Sequence, residues 1–458
     1  MFQEGHRLLA GVSKDFILHG LAQPGMSKLV ERVISENGRQ NKRACPLRPR
    51  LVLWLVIAMS LYRDCSIINV FERLVAGVKD KEPKLFRGTV TQEALGKARG
   101  RLGFLPLMHL HEQFVKDWKP VPETFYGLRV VGIDGSEFTV PDTEDNEEIY
   151  GRHQSDRGPA AYPSVRGLFK VDVASHRISK CCFFPCTLHE STPLRPLMKT
   201  LGSGDLLLMD RGLTSFLSIH TCINQRANFL LRFAGNWKPH FLRKLGNGDT
   251  LMRFKACKVA RENLPAADKD ITYDLRVIEF TVGKGELVRL VTDLVDPDHF
   301  PAIELAELYH QRWECEIAYK QLKSQLVSVT ASKQQTHFRS KTPVGVMQEA
   351  WGMVLAHTLV RELMMEGAEV AGVSPTELSL TDSLEAIKLS LRNFHAGGSR
   401  LRARLREKLI QEIGGCLIDR PRRKRQCPRV VKRKMSNFRL KRPGDRARPL
   451  DTEIRFKI

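Results

Sequence analysis

Apolar residues recur at helical spacing through the first 120 residues or so of the chain. Every third or fourth position is apolar in four segments, MSKLVERVISE, RLVLWLVIAMSLY, SIINVFERLVAGV and LPLMHLHEQFVKDW, which is the pattern of helices that bury one face. The pattern is typical both of a helical DNA-binding module and of a helical bundle with a charged loop, and it favours neither. Basic residues lie between these predicted helices, at Arg39, Lys42, Arg43, Arg48 and Arg50.

From Leu128 the pattern changes to β-branched and alternating runs, which are typical of strands. The run LRVVGIDGSEFTVPD predicts a core strand with the carboxylate of Asp134 at its end, followed by a polar loop at residues 142–165. A second short strand, DLLLM, leads directly to Asp210. Short runs between glycines predict a β-rich insertion at about 236–292, and the fold class is therefore α/β. Further strands are predicted at GLFKVDVA, RISKCCFFPC, NFLLRFA and ELVRLVTDL, and helices at STPLRPLMKTL and SFLSIHTCINQ.

The segment PAIELAELYHQRWECEIAYKQLKSQL predicts one long helix at residues 301–326. At roughly 100° per residue, Tyr309, Arg312, Glu316 and Lys323 would share a stripe about 60° wide. A carboxylate would then lie beside two cations and a phenol. Two more helices are predicted at 343–366 and 380–396. A neighbouring, mostly apolar stripe predicts the buried face of the long helix, and it consists of Leu308, Cys315, Tyr319, Leu322 and Leu326.

The chain is strongly basic. It has 73 Lys and Arg against 51 Asp and Glu among 458 residues, a net charge of +22. Such a charge favours a polyanionic partner, nucleic acid before membrane. Between residues 420 and 448 there are fourteen Lys and Arg and one acid, Asp445, which predicts a basic tail without stable structure of its own.

The ten cysteines are scattered, which favours a reducing, cytoplasmic environment without disulfides. Cys181, Cys182 and Cys186, with His189 nearby, could form a metal site, but they lack paired C-x-x-C spacing, so structural thiols are favoured. No secretory signal is visible at the N-terminus. The longest apolar run, residues 51–62, is too short to span a bilayer, so no membrane association is expected.

Three carboxylates stand at comparable places: Asp134 and Asp210 at predicted strand ends, and Glu316 on the predicted long helix. Acids so placed can converge on divalent cations, and their hard oxygen ligands suit Mg²⁺ or Mn²⁺. Two such ions would stabilise the attacking and leaving oxygens of a phosphoryl displacement. Asp142 is an alternative first carboxylate, which ranks below Asp134 because Asp134 follows directly on the hydrophobic run.

Three motifs resemble those of the DDE transposases of bacterial insertion sequences. They are D-G-S-x-F-x-V-P-D-T at 134–143, D-R-G at 210–212, and Y-x2-R-x3-E-x6-K at 309–323. The last is similar to the Tyr-Arg-Glu-Lys signature of the insertion-sequence-four family. The resemblance covers residues from about 20 to 400, and its N-terminal part resembles the helical module found there in that family.

The resemblance implies a ribonuclease-H-like core with a β-rich insertion between the second Asp and the Glu. Asp134, Asp210 and Glu316 would be catalytic and would hold two Mg²⁺ ions, for which Mn²⁺ can substitute. Partners would be the inverted-repeat ends of the element and target DNA, bound by a homodimer, with no small-molecule substrate. Phosphates at the element end would be contacted by Tyr309, Arg312 and Lys323.

The resemblance also bears on two tryptophans and one arginine. Trp237 in the predicted insertion would stack on a flipped base or serve a structural role, and both interpretations stay open. Arg211 would contact a phosphate or form an ion pair with Asp210. Trp313 is predicted to pack in the core.

The function predicted from the sequence is a transposase that cuts the element ends, joins them to target DNA and passes through a hairpin. The alternatives are a ribonuclease-H-like nuclease or resolvase without strand transfer, and a DNA-binding derivative that has lost its chemistry. The predicted divisions are a helical DNA-binding domain at 1–125, a catalytic domain at 126–335, a helical region at 336–414 and the basic tail at 415–458.

Overall fold

The computed structural model describes most of the chain with side chains. The described residues are 18, 20–22, 25–41, 47–79, 90–118, 124–155, 158–282, 286–326, 328–329, 336–394, 398–418 and 454–456. The predicted basic tail therefore lies outside the described residues, apart from residues 415–418 and 454–456. Lys42 and Arg43 of the predicted basic loop also lie outside them.

Helices begin the described part of the chain, helices and strands alternate through its middle, and helices followed by one short strand end it. The helices are α1 Met26–Glu36, α2 Pro49–Leu61, α3 Ile67–Lys79, α4 Gln92–Leu102, α5 Leu105–Lys116, α6 Glu144–Tyr150, α7 Ser191–Met198, α8 Phe216–Asn224, α9 Lys258–Asn263, α10 Ala302–His310, α11 Trp313–Gln321, α12 Pro343–Ala371, α13 Leu380–Phe394 and α14 Ser399–Gly414.

The strands are β1 Arg129–Thr139, β2 Gln154–Ser155, β3 Gly158–Pro159, β4 Ser164–Asp172, β5 Ile178–Pro185, β6 Asp205–Met209, β7 Asn228–Arg232, β8 His240–Gly246, β9 Asp249–Lys255, β10 Thr272–Val282, β11 Leu287–Thr292, β12 Ser328–Val329, β13 Thr336–His337 and β14 Ile454–Phe456. The chain forms two compact units. The first contains Met1–Leu197 and Trp313–Leu417, and the second contains Met198–Arg312 and Ile418–Ile458.

The first unit is built on a small mixed sheet and a helical core. Strand β4 pairs antiparallel with β1 and with β5, while β13 pairs parallel with the end of β1 and antiparallel with β12. The 29-residue α12 packs against α2, α5 and α14. Helix α2 is buried at every position from Arg50 to Leu61, which is typical of a helix surrounded by other elements. At Gly352 of α12 the backbone comes so close to α2 that an added Cβ would lie 2.9 Å from the Val56 carbonyl oxygen.

The second unit is built on strands that pair in the order β6-β7-β11-β10-β9-β8. Strands β6 and β7 are parallel, and the pairs that follow are antiparallel. Strand β14 pairs with the last residues of β10. The β-rich segment predicted at 236–292 is thus present as β8 to β11, and β11 joins it to β7.

The predicted long helix at 301–326 is wrong as a single element. Helix α10 ends at His310, and α11 begins at Trp313 and passes into a π-helical turn at Leu322–Leu326. The N–H groups of Gln311 and Arg312 donate to carbonyls three residues back, which tightens the end of α10. The chain therefore does not turn by a uniform 100° per residue from Tyr309 to Lys323. The prediction that Tyr309, Arg312, Glu316 and Lys323 share one continuous stripe is also wrong.

Other predictions need smaller corrections. Asp134 lies in the middle of β1, not at its end, because the strand continues to Thr139. The predicted loop at 142–165 contains α6, which begins where the Thr143 hydroxyl accepts the N–H of Asn146. The sequence patterns also did not single out α4 and α14. Five predicted segments form the expected elements: the helices α1, α2, α3 and α5 and the strand β4.

Arg50 is not a free surface cation of the predicted basic loop. Its side chain is buried, donates to the backbone and hydroxyl oxygens of Ser27, and pairs with Glu31 at 3.1 Å. It therefore ties α1 to the start of α2. None of the helices within the described residues combines the length and the apolar run that crossing a bilayer requires.

Candidate functional site

Asp134 lies on a long strand of the first unit. It is half-buried in the middle of β1, opposite Phe169 of β4. Its Oδ1 accepts the backbone N–H of Gly135 at 2.7 Å. Because β1 is hydrogen-bonded along its length to β4, the carboxylate is carried by a rigid piece of backbone, as a metal ligand would need.

Glu316 lies on α11, which rests on the same two strands. The Tyr319 hydroxyl of this helix donates to the carbonyl of Phe169 at 3.3 Å, and Phe169 is the residue that pairs with Asp134. Glu316 itself is half-buried. The five residues predicted as the apolar stripe are confirmed as buried, at 5% exposed or less, although the stripe is divided between α10 and the elements after it: Leu308, Cys315, Tyr319, Leu322 and Leu326.

Lys323 stands beside Asp134 in the first unit. It lies in the π-helical turn after α11, and its Nζ is 5.7 Å from the ring centroid of Phe138 on β1. Burial lowers the pKa of Lys323, and the negative charges of Glu137 and Asp134 oppose that shift. The lysine is thus close enough to Asp134 for their charges to interact. π-Helical turns recur at functional sites.

Asp210 begins the turn after β6 in the second unit. Its Oδ1 accepts the backbone N–H of Arg211 at 2.7 Å, the same contact that Asp134 makes with its own next residue. The carbonyl of Asp210 accepts the N–H of Leu213 and the hydroxyl of Thr214. The carboxylate therefore stands on a turn that is closed by hydrogen bonds.

Tyr309 lies next to Asp210, and Arg312 lies next to Tyr309. The Tyr309 hydroxyl donates to the carbonyl of Met209 at 3.3 Å, and the ring is buried. Burial raises the pKa of Tyr309 and the charge of Asp210 raises it further, while Arg312 and Arg232 lower it. The phenol is thus built into the protein beside Asp210, with two arginines near it.

The backbone and the side chain of Arg211 have different hydrogen-bond partners. Its N–H bonds the carboxylate of Asp210, whereas its guanidinium pairs with Glu286, Nη1 to Oε1, at 3.2 Å. Arg232 donates to the other oxygen of Glu286 at 3.0 Å. Sequence reasoning missed Arg232. Its position at the end of NFLLR gives no signal by itself, because the strand pattern does not show which strand lies beside the one that leads to Asp210.

The two tryptophans differ from one another in their surroundings. Trp237 is half-buried, and its ring packs 5.7 Å from Phe233 and 5.9 Å from Phe254. These contacts favour the structural interpretation of Trp237, and base stacking stays a prediction. The prediction that Trp313 packs in the core is wrong, because it is 52% exposed at the first position of α11, away from the buried face.

Asp142 and the cysteine cluster are weaker candidates than Asp134. Asp142 is exposed and forms an ion pair with Arg152, so its charge is already compensated. Burial raises the pKa of the thiols of Cys181, Cys182 and Cys186. Protonated thiols are poor metal ligands, which agrees with the structural role predicted for them.

The structure groups the predicted site residues in two sets. Asp134 and Lys323 lie together with the helix of Glu316 in the first unit, and Asp210 lies with Tyr309 and Arg312 in the second. Carboxylate donors are the right chemistry for a hard divalent cation. Among the residues that the structure describes, no three His, Cys, Asp or Glu side chains are grouped closely enough to hold a metal ion. Convergence of Asp134, Asp210 and Glu316 on metal stays a prediction.

Comparison with known proteins finds similarity along most of the chain. A family model described as "Insertion element 4 transposase N-terminal" matches residues 17–112, and one described as "Transposase DDE domain" matches residues 126–359. The chain is 28% identical over 412 residues to "Transposase InsG for insertion sequence element IS4" of Escherichia coli (strain K12), covering 88% of this chain and 90% of that protein.

Two further proteins are similar. The chain is 23% identical over 210 residues to "Putative transposase InsZ" of the same organism, covering 43% of this chain and 68% of that protein. Among solved structures, "Cryo-EM structure of piggyBac transposase synaptic complex with hairpin DNA (SNHP)" is similar with a TM-score of 0.44 and 11% identity, covering 89% of this chain and 85% of that one.

Proposed function

Since this chain belongs to the DDE transposases, of the insertion element 4 type, we propose that it cuts the ends of its own insertion sequence and joins them to target DNA. The DDE domain match carries this proposal, because residues 126–359 include both aspartates and the whole Tyr-Arg-Glu-Lys signature. The chain is thus a DNA-cleaving, metal-dependent enzyme. The joining step is what distinguishes the proposal from simple hydrolysis.

Asp134, Asp210 and Glu316 are the proposed ligands of two Mg²⁺ ions, with Mn²⁺ as a substitute. When bound, such ions supply charge stabilisation for the attacking and leaving oxygens of phosphoryl transfer. The protein's part is to hold its carboxylates ready. Oδ1 of Asp134 and Oδ1 of Asp210 are each held by the next backbone N–H, so neither side chain has to be ordered when DNA arrives.

The cations near the aspartates are the proposed phosphate contacts. Lys323 beside Asp134, and Arg312 beside the Tyr309 that Asp210 influences, would offset the charge of a DNA strand that approaches the acids. A lysine acts as a point charge and an arginine as a planar fork with two donors. Tyr309, whose hydroxyl already donates to Met209, would contribute its buried ring to the shape of the site.

The reaction proposed is a sequence of transfers to DNA and water, without a protein nucleophile. Hydrolysis frees a 3′-hydroxyl at the element end, and that hydroxyl attacks the opposite strand to form a hairpin. Reopening of the hairpin restores the 3′-hydroxyl, which attacks target DNA. A homodimer would act on the two ends together, and Trp237 is the proposed stacking partner of a flipped base.

Incubation of the purified chain with a labelled inverted-repeat end and Mg²⁺ tests the proposal. Hairpins or joined products are the expected result. Simple nicks without joined products would identify a nuclease or resolvase, and a shifted complex without cleavage would identify a DNA-binding derivative.

Replacement of Glu316 by Gln tests the assignment of the third ligand. Loss of a negative ligand should lower the cleavage rate at least about 100-fold, while binding of the labelled end, followed by gel shift, should persist. Glu148→Gln is the matched control, because Glu148 is an exposed acid of α6 in the same unit and should cleave normally. Cleavage retained by Glu316→Gln would show that Glu316 is not a ligand.

A further inference from the structure

One carboxylate bridges two arginines at the surface of the second unit. Glu286 accepts Nη1 of Arg211 on Oε1 at 3.2 Å and Nη2 of Arg232 on Oε2 at 3.0 Å. The side chains of Glu286 and Arg211 are 66% and 52% exposed, and that of Arg232 is 22% exposed. Two guanidinium groups therefore converge on one anion that solvent, or another anion, can reach.

This cluster of Arg211, Arg232 and Glu286 lies beside Asp210. Met209 pairs with Leu231 in the parallel strands β6 and β7. The next residue of each strand, Asp210 and Arg232, therefore lies beside the other at the ends of these two strands. Neighbouring strands are about 4.8 Å apart. The influence of both Asp210 and Arg232 on the Tyr309 phenol places them in the same neighbourhood.

The contacts of Glu286 are those that a phosphodiester would make. Two non-bridging oxygens of a phosphate can each accept from one guanidinium, as the two oxygens of Glu286 do here. An exposed ion pair contributes little to the stability of a protein, so Glu286 can be displaced at small cost. Because two guanidinium groups share Glu286, the cluster carries a net positive charge that would attract a DNA phosphate.

From these contacts we propose that Arg211 and Arg232 form a binding site for one DNA phosphate, which Glu286 occupies until DNA displaces it. The inference rests on the proposed function, because it assumes that Asp210 belongs to a DNA-cleaving site. Arg232 becomes a DNA-binding residue, and Glu286 becomes an internal competitor that weakens the binding of any duplex at this site.

The second unit also offers a matched control. Arg253 of β9 donates two hydrogen bonds to Asp274 of β10, at 2.6 and 2.7 Å, and the two residues pair directly across the strands. Both side chains are about as exposed as Arg211, at 42% and 41%. In this pair one guanidinium contacts one carboxylate. Neutralising Asp274 therefore measures how DNA affinity responds to the loss of any one negative surface charge.

The test is equilibrium binding of a fluorescein-labelled duplex of mixed sequence by anisotropy, without divalent metal, across a salt series. Glu286→Gln should bind about 3- to 10-fold more tightly than the wild type at low salt, as loss of two exposed pairs predicts. Asp274→Asn should change affinity by less than about 2-fold, which is the effect of one distant charge. Arg232→Ala should weaken binding and reduce the salt slope by about 1.

Combining the variants decides between competition and a general charge effect. The gain from Glu286→Gln should disappear when Arg211 and Arg232 are also replaced by Ala, since the site it frees is then absent. A gain equal to that of Asp274→Asn, or one that survives loss of both arginines, would overturn the phosphate site. A wild-type chain that binds no duplex would overturn the proposed function itself, so the two failures are distinguishable.

Discussion

Asp134 and Asp210 show how much a single backbone contact can do for a side chain. Each carboxylate accepts the N–H of the residue that follows it, at 2.7 Å in both cases. A carboxylate held in this way loses little rotational freedom when it takes up a ligand. The two aspartates thus reach a similar local arrangement from different backbones, one from the middle of a strand and one from a turn.

Asp293 gives a prediction about stability and pH. It is half-buried after β11, where its oxygens accept the N–H of Phe229 and the amide of Asn228. Burial raises its pKa from 3.8 to about 6. The folded chain therefore binds a proton more tightly than the unfolded chain, so stability should fall as pH rises from about 4 to 6, by up to about 3 kcal/mol.

Comparison with Asp293→Asn isolates this effect. The amide cannot ionise but keeps an oxygen for the N–H of Phe229. Urea unfolding at several pH values should give the wild type a decline in free energy of unfolding between pH 4 and 6 that the variant lacks. Parallel curves for the two proteins would show that Asp293 has an ordinary pKa.

For single residues, the sequence predicts which side chains belong to a site better than it predicts which residues they contact. Asp210 could be found because a short apolar strand leads directly to it. Arg232 could not, because its importance depends on which strand lies next to β6, and strand order is not written in local pattern. Trp313 was misplaced for a related reason: the break before α11 changes which positions of that helix are buried.

Helix α11 is fixed by a buried polar network that sequence reasoning missed. His176, in the turn between β4 and β5, has a left-handed backbone conformation and is fully buried. Its Nδ1 accepts Nη2 of Arg361 at 2.7 Å, because a guanidinium can only donate. Its Nε2 therefore carries the proton and donates to Glu314 at 2.8 Å. Arg361 also donates to Gln321, so both ends of α11 are tied to α12.

Removal of Arg361 should therefore be severe. Arg361→Leu removes the donor that Nδ1 of His176 and the side-chain oxygen of Gln321 share, and each buried acceptor left unsatisfied costs about 1–3 kcal/mol. Arg406→Leu is the control, because Arg406 makes two hydrogen bonds to Glu366 of α12 from a partly exposed position and should cost about 1 kcal/mol or less. Equal losses in the urea unfolding free energies of the two variants would contradict the importance of the network.

Elements with strong local signals were predictable, and elements set by distant contacts were not. The helices α1, α2, α3 and α5 follow from apolar spacing, and β4 and β5 follow from strand-like runs. The break between α10 and α11 has no glycine or proline to announce it, and it falls where the chain passes from one compact unit to the other. The position of Asp134 within β1 was missed because alternation shows that a strand exists but not where it ends.

The charge of the whole molecule gives a prediction about binding. The fourteen Lys and Arg of residues 420–448, less Asp445, supply a net +13 of the total +22. A variant with all fourteen replaced by Gln should bind duplex DNA more weakly at low salt. Its plot of log affinity against log salt should be shallower by about 0.9 for each phosphate that the tail neutralises in the wild type. Identical slopes measured by anisotropy would show that the tail does not touch DNA.

The family could be predicted from the sequence, because motif order and spacing survive when overall identity is low. The arrangement in compact units could not. The Tyr-Arg-Glu-Lys signature is itself divided, with Tyr309 and Arg312 in the second unit and Glu316 and Lys323 in the first. The domain boundary predicted at residue 125 stays a prediction, and the helices before it share their compact unit with α12.

The burial of α2 against α12 has a consequence for how the chain is made. Helix α2 leaves the ribosome early, yet the Gly352 surface that covers Val56 lies on a helix that begins about 280 residues later. At roughly 5–20 residues per second, translation takes on the order of 15–60 s to cover that distance. During that time the apolar segment LVLWLVIAM has only α1, α3 and α4 as native neighbours, so the face that α12 covers stays open and the nascent protein would depend on chaperones until α12 emerges.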